Sequence, residues 1–354
     1  MSGSGTTLAV RLDSAGDVLL AGPALRALAH GSERLVLLTG PLGAGAAGLL
    51  PGVDEVLVWR CPWIDPRPRP VDSAEVSDLV GRLLAVGADR AVVFTSFHQS
   101  PLPTALLLRL AGVPHVSAVS EDYPGSLLEV RHHVDDDVHE VERGLSLARA
   151  AGFELPPGDS GLLQVAIPAD SPLAGGVGTP YVVLHPGTSV PARAWPAESW
   201  HALVGLLHAR GLEVVVTGGP DEAPLTREVT TDTPAADLGG RTTWAGLAAV
   251  LRDARAVVVG NTGPAHLAAA VGTPVVSLFA PTVPAHRWAP YGVPVRLLGD
   301  PHAPCRDTRV TRCPFEGHPC LTSVTPEDVC QALDELGDTP LEVAAHPPLE
   351  EASA

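Results

Sequence analysis

Apolar and polar positions alternate along the first half of the chain in units of a strand followed by a helix. Short apolar runs typical of strands cover 7–12, 33–40, 53–59, 89–96 and 115–120, and segments with helical periodicity cover 18–29, 75–87, 103–112 and 138–151. Such alternation is typical of a parallel sheet with helices on both faces. It predicts a doubly wound α/β domain.

The same alternation restarts after a segment rich in Pro, Gly and Asp at 154–180, which we interpret as a linker. Strand-like runs lie at 181–187, 212–219, 254–261 and 274–281, with helical segments at 197–210, 243–253 and 263–271. A chain of 354 residues is longer than one core usually serves. We therefore predict two Rossmann-like domains, 1–170 and 178–336, that face a central cleft, and a disordered tail at 337–354.

The charge balance is strongly acidic, with a formal net charge of −17 and with Arg supplying all 23 basic residues. This argues against a broad basic surface for nucleic acid or for an anionic membrane, although a local patch for peripheral membrane contact stays open. The chain has no apolar run long enough to span a bilayer, and its N-terminus lacks the pattern of a signal peptide. We expect a cytoplasmic protein.

A carboxylate follows the first strand, in the turn that runs from Asp13 to Asp17. Ligands of open parallel sheets bind at the carboxyl ends of the strands, so Asp17 would face the cleft at the start of a helix. There it could accept a proton from a substrate hydroxyl. An ordinary helix cap is the alternative, and position alone favours it.

The first two strands of the second half also end in polar turns. Thr188 and Ser189 follow the strand at 181–187, and their hydroxyls, with the cation Arg193, suit a phosphate group. Glu222 follows the next strand and could accept hydrogen bonds from ribose hydroxyls. A solvent loop and a helix cap are the alternatives at these two places.

The stretch Asn261-Thr262-Gly263-Pro264 follows the strand at 254–261 and leads into an Ala-rich helix that carries His266. A Pro in the first helical turn and a Thr-Gly turn leave backbone N–H groups free at the helix start, where they would suit a diphosphate. A capped core helix with a core histidine is the alternative. The four turns together predict a nucleotide-diphosphate site.

In this order, the GD turn, HPGTS with R and WP, GGP with E, and TGPAHLAAAVGTPVVSLFAPT resemble glycosyltransferase family 9, the heptosyltransferase family, over roughly 7–335. The resemblance implies the GT-B fold, a donor nucleotide bound mainly by the C-terminal domain, and an inverting, metal-independent reaction. On the matching positions, Asp17 would be the general base. Thr188, Ser189 and Arg193 would bind the donor phosphate.

By the same resemblance, Glu222 would lie at the nucleoside, Thr262 and Gly263 would hold the diphosphate, and His266 matches the histidine of the following helix. Many members have Asp where this chain has Asn261, which brings hydrogen bonds but no charge to the donor sugar. The implied reaction transfers a sugar, by resemblance a heptose from ADP, to a hydroxyl or amine of a small-molecule or glycan acceptor. No cofactor or metal is expected.

Two other functions fit the same fold: a sugar-nucleotide epimerase or hydrolase, and a non-catalytic sugar-nucleotide-binding protein. Several further motifs have ordinary interpretations. The glycines of 43–48 are interpreted as a Gly/Ala-rich loop or helix start rather than a dinucleotide fingerprint, and the acids 135–137 as caps of the following helix. Cys305, Cys313 and Cys320 are spaced without a Cys-x-x-Cys knuckle, so a structural or redox-sensitive loop is favoured over zinc.

Overall fold

The computed structural model describes residues 5–134, 137–168 and 180–337. Six strands of the first half form one parallel sheet in the order β3-β2-β1-β4-β5-β6. The strands are β1 (Thr6–Arg11), β2 (Arg34–Thr39), β3 (Glu55–Val58), β4 (Arg90–Val93), β5 (His115–Val119) and β6 (Val130–His132). The helices that accompany them are α1 (Ala15–Leu20), α2 (Gly22–His30), α3 (Ala44–Ala47), α4 (Ser73–Val86), α5 (Leu102–Leu110) and α6 (Glu140–Ala150).

A second parallel sheet of six strands has the order β12-β11-β10-β7-β8-β9. Its strands are β7 (Tyr181–His185), β8 (Glu213–Val216), β9 (Ala236–Asp237), β10 (Ala256–Gly260), β11 (Val275–Leu278) and β12 (Val295–Leu298). Its helices are α7 (Ala197–Ala209), α8 (Ala223–Thr230), α9 (Trp244–Arg252), α10 (Gly263–Ala270), α11 (Ala285–Trp288), α12 (Pro319–Thr322) and α13 (Pro326–Gly337), with 3-10 turns at Pro191–Arg193 and Pro220–Glu222. The predicted pair of doubly wound sheets is confirmed.

The strand order reverses at one place in each sheet, between β1 and β4 in the first and between β7 and β10 in the second. Open α/β sheets bind ligands in the crevice at such a switch point, beyond the carboxyl ends of the strands. The turn that bears Asp17 follows β1, and the turns that bear Thr188 and Asn261 follow β7 and β10. The topology thus directs the predicted site residues to the two switch points.

Local chemistry corrects two of the predicted helices. The helix expected over 18–29 is two helices, α1 and α2, because Pro23 lacks the N–H that would continue the ladder. The helix expected over 138–151 begins at Glu140, and its N-cap is His139, whose ring Nδ1 accepts a hydrogen bond from the backbone N–H of Val141. The predicted aspartate cap is therefore wrong, and Asp135 and Asp136 themselves lie outside the described residues.

The two halves meet where α1 of the first packs against α10 of the second. A Cβ built at Gly16 would lie 3.3 Å from the Cα of Gly263, so the backbones of the two helix starts approach closely there. Buried side chains of both halves, such as Leu19 and Ala265, belong to one continuous core. The base-bearing and the donor-side turns are thereby held against each other.

Part of the predicted linker packs on the first half rather than hanging free. Arg26 forms two hydrogen bonds with the carboxylate of Asp159, both 2.7 Å long, and Ala166 donates its N–H to the carbonyl of Leu49 at 2.8 Å. Leu163 is buried beside Leu20 and Tyr291. The rest of the linker, 169–179, and the predicted disordered tail from residue 338 onwards lie outside the described residues.

Candidate active site

Asp17 lies in the first turn of α1, and both of its carboxylate oxygens are hydrogen-bonded. One oxygen accepts from the Nη2 of Arg11 at 2.8 Å, and the other accepts from the backbone N–H of Ser14 at 3.1 Å and its hydroxyl at 2.6 Å. Burial opposes ionisation of Asp17, but Arg11 and Ser14 outweigh it and lower the pKa of the carboxyl below its usual value. The side chain is therefore a carboxylate at neutral pH and retains 14% exposure.

Arg11 is the centre of a buried cluster of three carboxylates. Its Nε lies 2.9 Å from Asp13, its Nη2 2.8 Å from Asp17, and its Nη1 3.8 Å from Glu140. Burial opposes the charge of Arg11, but the three carboxylates outweigh it and raise its pKa. Burial raises the pKa of both Asp13 and Glu140, with Arg11 opposing. One guanidinium thus sets the charge of the whole cluster.

The loop after β4 supports the same cluster from the side. Gln99 donates its amide to Asp13 at 2.6 Å, and the hydroxyl of Ser96 lies 3.2 Å from Arg11 and 3.4 Å from Asp17. Glu140, at the start of α6, has two buried carboxylate oxygens with no hydrogen-bond partner, 3.8 Å from Arg143 as well as from Arg11. Sequence reasoning singled out Asp17 but not its supports.

The N-terminus of α10 has the open geometry that the sequence predicts. Thr262 precedes the helix with extended backbone (φ −139°, ψ 174°), and its side chain does not cap the helix. Its buried hydroxyl has no protein partner. Gly263 follows, with no Cβ, beside Ala15 and the ring of Trp244. A helix start with free amides, a positive dipole end and an unused hydroxyl can bind phosphate oxygens.

His266, one turn into α10, is buried with only 6% of its surface exposed and lies against Gly16 of the first half. Its Nδ1 has no hydrogen-bond partner, so the alternative of a core histidine bonded to backbone through that nitrogen does not hold. Burial lowers the pKa of His266 to about 4, with His139 and Arg193 adding to the effect and Asp17 opposing it. The imidazole is neutral at pH 7.

Arg193 approaches the start of α10 from the 3-10 turn after β7. Its Nη1 donates to the backbone carbonyl of Asn261 at 3.2 Å, while its buried Nε has no partner. Burial lowers the pKa of Arg193, and the charge of Asp17 opposes that shift. Asn261 itself is 6% exposed, with its amide nitrogen 3.4 Å from the carbonyl of Ala280 and its amide oxygen unpaired. The arginine is oriented by the loop that would hold the diphosphate.

Thr188, Ser189 and Glu222 lie at the carboxyl ends of β7 and β8. The hydroxyl of Thr188 accepts from the N–H of Val190 at 3.2 Å, and Ser189 is exposed. A carboxylate oxygen of Glu222 accepts from the N–H of Gly219 at 2.7 Å and lies 3.6 Å from the Nε2 of His185. Glu222 therefore closes a turn, as the capping alternative holds, and leaves part of its carboxylate facing the cleft edge.

The predicted signals outside the cleft also find places. The Gly/Ala-rich stretch starts helix α3, as interpreted, and Gly45 is needed there because a Cβ would overlap the ring of Trp244. Cys305 and Cys320 are buried, and all five cysteines are free thiols. Burial raises the pKa of Cys320 to about 12, and the neighbouring Cys305 adds to the effect. Within the described parts of the chain, no three His, Cys, Asp or Glu side chains are grouped as metal ligands.

The residues that sequence reasoning missed share one signal. Arg11 and Asp13 are charged residues directly at the carboxyl end of a strand whose other positions are apolar, and such a charge needs a buried partner. Glu140 and Ser96 carry no such signal, because they reach the cluster from distant elements. No helix in residues 5–134, 137–168 or 180–337 is long and apolar enough to cross a membrane.

Comparison with known proteins supports the site. The model of the family "Glycosyltransferase family 9 (heptosyltransferase)" matches residues 78–318, more than half of the chain. Lipopolysaccharide heptosyltransferase 1 of Pseudomonas aeruginosa is 31% identical over 259 residues, 67% of this chain and 72% of that protein. Lipopolysaccharide heptosyltransferase 3 of Escherichia coli is 38% identical over 108 residues, but the match spans only 32% of its length.

Solved structures share the fold. A glycosyltransferase family 9 protein from Veillonella parvula superposes with a TM-score of 0.76 at 19% identity, over 94% of this chain and 97% of that one. E. coli ADP-heptose lps heptosyltransferase II superposes with a TM-score of 0.73 at 20% identity, over 94% and 98%. These neighbours have the GT-B fold of two parallel sheets, as predicted. By its sequence match and its fold, the chain belongs to glycosyltransferase family 9, the heptosyltransferase family.

Proposed function

We propose that the chain transfers a sugar, a heptose, from an ADP-linked donor to a hydroxyl or amine of a small-molecule or glycan acceptor, with inversion at the anomeric carbon. The observation that carries the proposal is the position of Asp17. Its ionised carboxylate lies in the first turn of α1, whose start packs directly against the start of α10. A base and a diphosphate-binding helix end therefore face each other.

In the proposed reaction, Asp17 accepts the proton of the acceptor group as the acceptor atom attacks the anomeric carbon. The bond between that carbon and the diphosphate oxygen breaks on the opposite face, and its electron pair stays on the diphosphate. General base catalysis of this kind contributes roughly 10²–10⁴-fold to the rate. Arg11 and Ser14 hold Asp17 in its ionised form and fix its position.

The leaving diphosphate gathers negative charge, which the donor side can stabilise. The amides at the start of α10, the Thr262 hydroxyl, the Thr188 and Ser189 turn and the Arg193 guanidinium are the groups that we assign to this task. Fixed dipoles and cations in a partly buried site stabilise such charge strongly. We therefore propose that the reaction needs no metal and no cofactor.

The nucleotide assignment rests on relatives. E. coli heptosyltransferase WaaC, solved with ADP and with ADP-2-deoxy-2-fluoro heptose, superposes on this chain with TM-scores of 0.68 and 0.67. We assign Glu222, beyond β8, to the nucleoside end of the donor. Asn261 is buried with an unpaired amide oxygen, and we assign it to the sugar end.

The test is the thermal stability of the purified protein with ADP, UDP, GDP and ADP-heptose, each in EDTA. A ligand that binds only the folded state raises Tm in proportion to RT ln(1 + [L]/Kd). A rise with ADP and ADP-heptose in EDTA supports the proposal. A rise with UDP or GDP alone would overturn the ADP assignment, a rise that needs added metal would overturn metal independence, and no rise with any ligand would contradict a donor site of this kind.

A further inference from the structure

Arg309 is presented to the cleft by a strained and tightly held segment. It lies in the loop between β12 and α12 with φ +57°, a left-handed backbone conformation that is unfavourable for a residue with a Cβ. Its N–H donates to the carbonyl of Thr282 at 2.9 Å, and two residues on, the carbonyl of Thr311 accepts from the N–H of Ala192 at 3.0 Å. Backbone bonds to two loops of the site thus enforce the conformation.

The side chain of Arg309 crosses to the other domain. Its Nη2 donates to the Nε2 of His98 at 2.8 Å, and its guanidinium carbon lies 5.2 Å from the ring centre of Phe97. Phe97 also receives the guanidinium of Arg287, at 4.4 Å. Within the described ranges, no ion pair joins Arg309 to a carboxylate. Its charge is therefore met by a neutral ring nitrogen and an aromatic face.

The electrostatic surroundings of Arg309 belong to the reaction site. Burial lowers the pKa of Arg309, and the negative charges of Asp17 and Asp13 oppose that shift. His98 stays neutral at pH 7, because burial and then Arg309 lower its pKa to about 4. The same position is thus a cation beside the proposed base, hydrogen-bonded only to a weak, uncharged acceptor.

The sheet separates Arg309 from the donor groups. Arg309 follows β12, which is two strand positions from β10 and three from β7 in the second sheet. Neighbouring strands are about 5 Å apart, so its loop leaves the sheet about 10–15 Å from the proposed diphosphate turns. Glu222, at the proposed nucleoside end, follows β8 still farther along. Arg309 lies on the opposite side of the switch point and contacts the domain that carries Asp17.

We propose that Arg309 binds an anionic group of the acceptor, a phosphate or a carboxylate, and that His98 accepts its hydrogen bond when no acceptor is bound. This inference rests on the proposed function, since it describes the acceptor of that reaction. A guanidinium binds such anions through two parallel N–H bonds, which a ring nitrogen cannot match. Stacking on Phe97 holds the plane of the guanidinium, so an incoming anion meets an oriented fork.

The experiment titrates inorganic phosphate, and acetate in parallel, into the full-length protein saturated with ADP, at constant ionic strength, and follows Tm. We expect phosphate or acetate to raise Tm of the wild type. Arg309→Ala should weaken that binding by roughly tenfold or more, as for loss of a charge-assisted pair, and leave ADP affinity unchanged. His98→Ala should strengthen it, because the competing hydrogen bond is gone.

The control is Arg306→Ala, which removes one positive charge from the same loop. Arg306 is exposed and pairs with Asp307, its sequence neighbour, so its loss should not change the anion response. Arg309→Lys, which keeps the charge but loses the fork, should bind with intermediate strength and protects the test if the alanine variant is unstable.

Three outcomes would overturn the proposal: an anion response that Arg309→Ala leaves intact, a loss of ADP affinity in that variant, which would place Arg309 at the diphosphate, or an equal loss in Arg306→Ala. Failure of the proposed function has a different signature. There the wild type would not bind ADP, while titration of anions without nucleotide would still report on Arg309.

Discussion

The imidazole of His266 lies against Gly16 across the boundary between the two domains. A Cβ at position 16 would lie 2.9 Å from Cδ2 of His266, closer than real Cβ contacts. Since Gly16 precedes Asp17 and His266 lies one turn into α10, this contact fixes the distance between the proposed base and the donor helix. Glycine at 16 is therefore required by close approach and not by backbone conformation.

Replacing Gly16 by Ala should separate α1 from α10 and lower turnover. A shift of about 1 Å in a reacting group can cost about a hundredfold in rate, so we expect a loss of roughly tenfold to a hundredfold. Steady-state transfer with ADP-heptose measures it. Gly81→Ala is the matched control, because that glycine lies within α4 with open space around it and the change should stabilise the fold by about 0.5–1 kcal/mol. Unchanged activity in Gly16→Ala would show that the contact is not needed.

Replacing Asp17 by Asn should reduce turnover by roughly 10²–10⁴-fold while ADP binding persists, because the amide cannot accept the acceptor proton. Single-turnover rates and ADP titration measure the two effects. Asp13→Asn is the comparison: its side chain is 7% exposed against 14% for Asp17, and we expect a smaller loss. A larger loss in Asp13→Asn than in Asp17→Asn would move the base to Asp13.

Replacing Arg193 by Ala should weaken ADP but not adenosine. Hydrogen bonds from a charged donor contribute about 1.5–3 kcal/mol, so ADP affinity should fall by roughly tenfold or more. Calorimetric titration of the two ligands separates the diphosphate from the nucleoside contribution. An equal fall for adenosine would mean that Arg193 organises the loop around Asn261 rather than binding the diphosphate.

His266 should make the fold sensitive to acid. Burial lowers its pKa from 6.5 to about 4, so its contribution to stability is present above pH 6.5 and is lost as the pH falls towards 4. At 1.36 kcal/mol per pKa unit, the loss is at most about 3 kcal/mol. Chemical unfolding of the wild type and of His266→Gln between pH 4 and 7 measures the difference. The variant should lose less stability over that window, and parallel curves would contradict the assignment.

Much of the architecture follows from local pattern. Runs of Val and Leu at strand spacing, separated by helical segments, identify two doubly wound sheets, and both are confirmed. The pattern could not reveal β9, which has two residues, or β6, which has three, because such short strands exist only where a neighbour pairs with them. It also missed the end of α1, where Pro23 overrides a continuous apolar periodicity.

The sequence by itself determined the family and the four turns that carry its motifs, because each turn is a contiguous stretch at the end of a strand. The family assignment is confirmed, whereas the roles given to Asp17, Arg193 and the other site residues stay predictions. Tertiary structure alone decided which side chains meet. Arg11 gathers Asp17 and Glu140, which are 123 positions apart in the numbering (140 − 17), and Arg309 reaches His98 of the other domain. No local pattern encodes such pairs, because they depend on how strand order and the packing of α1 on α10 bring distant loops to one edge.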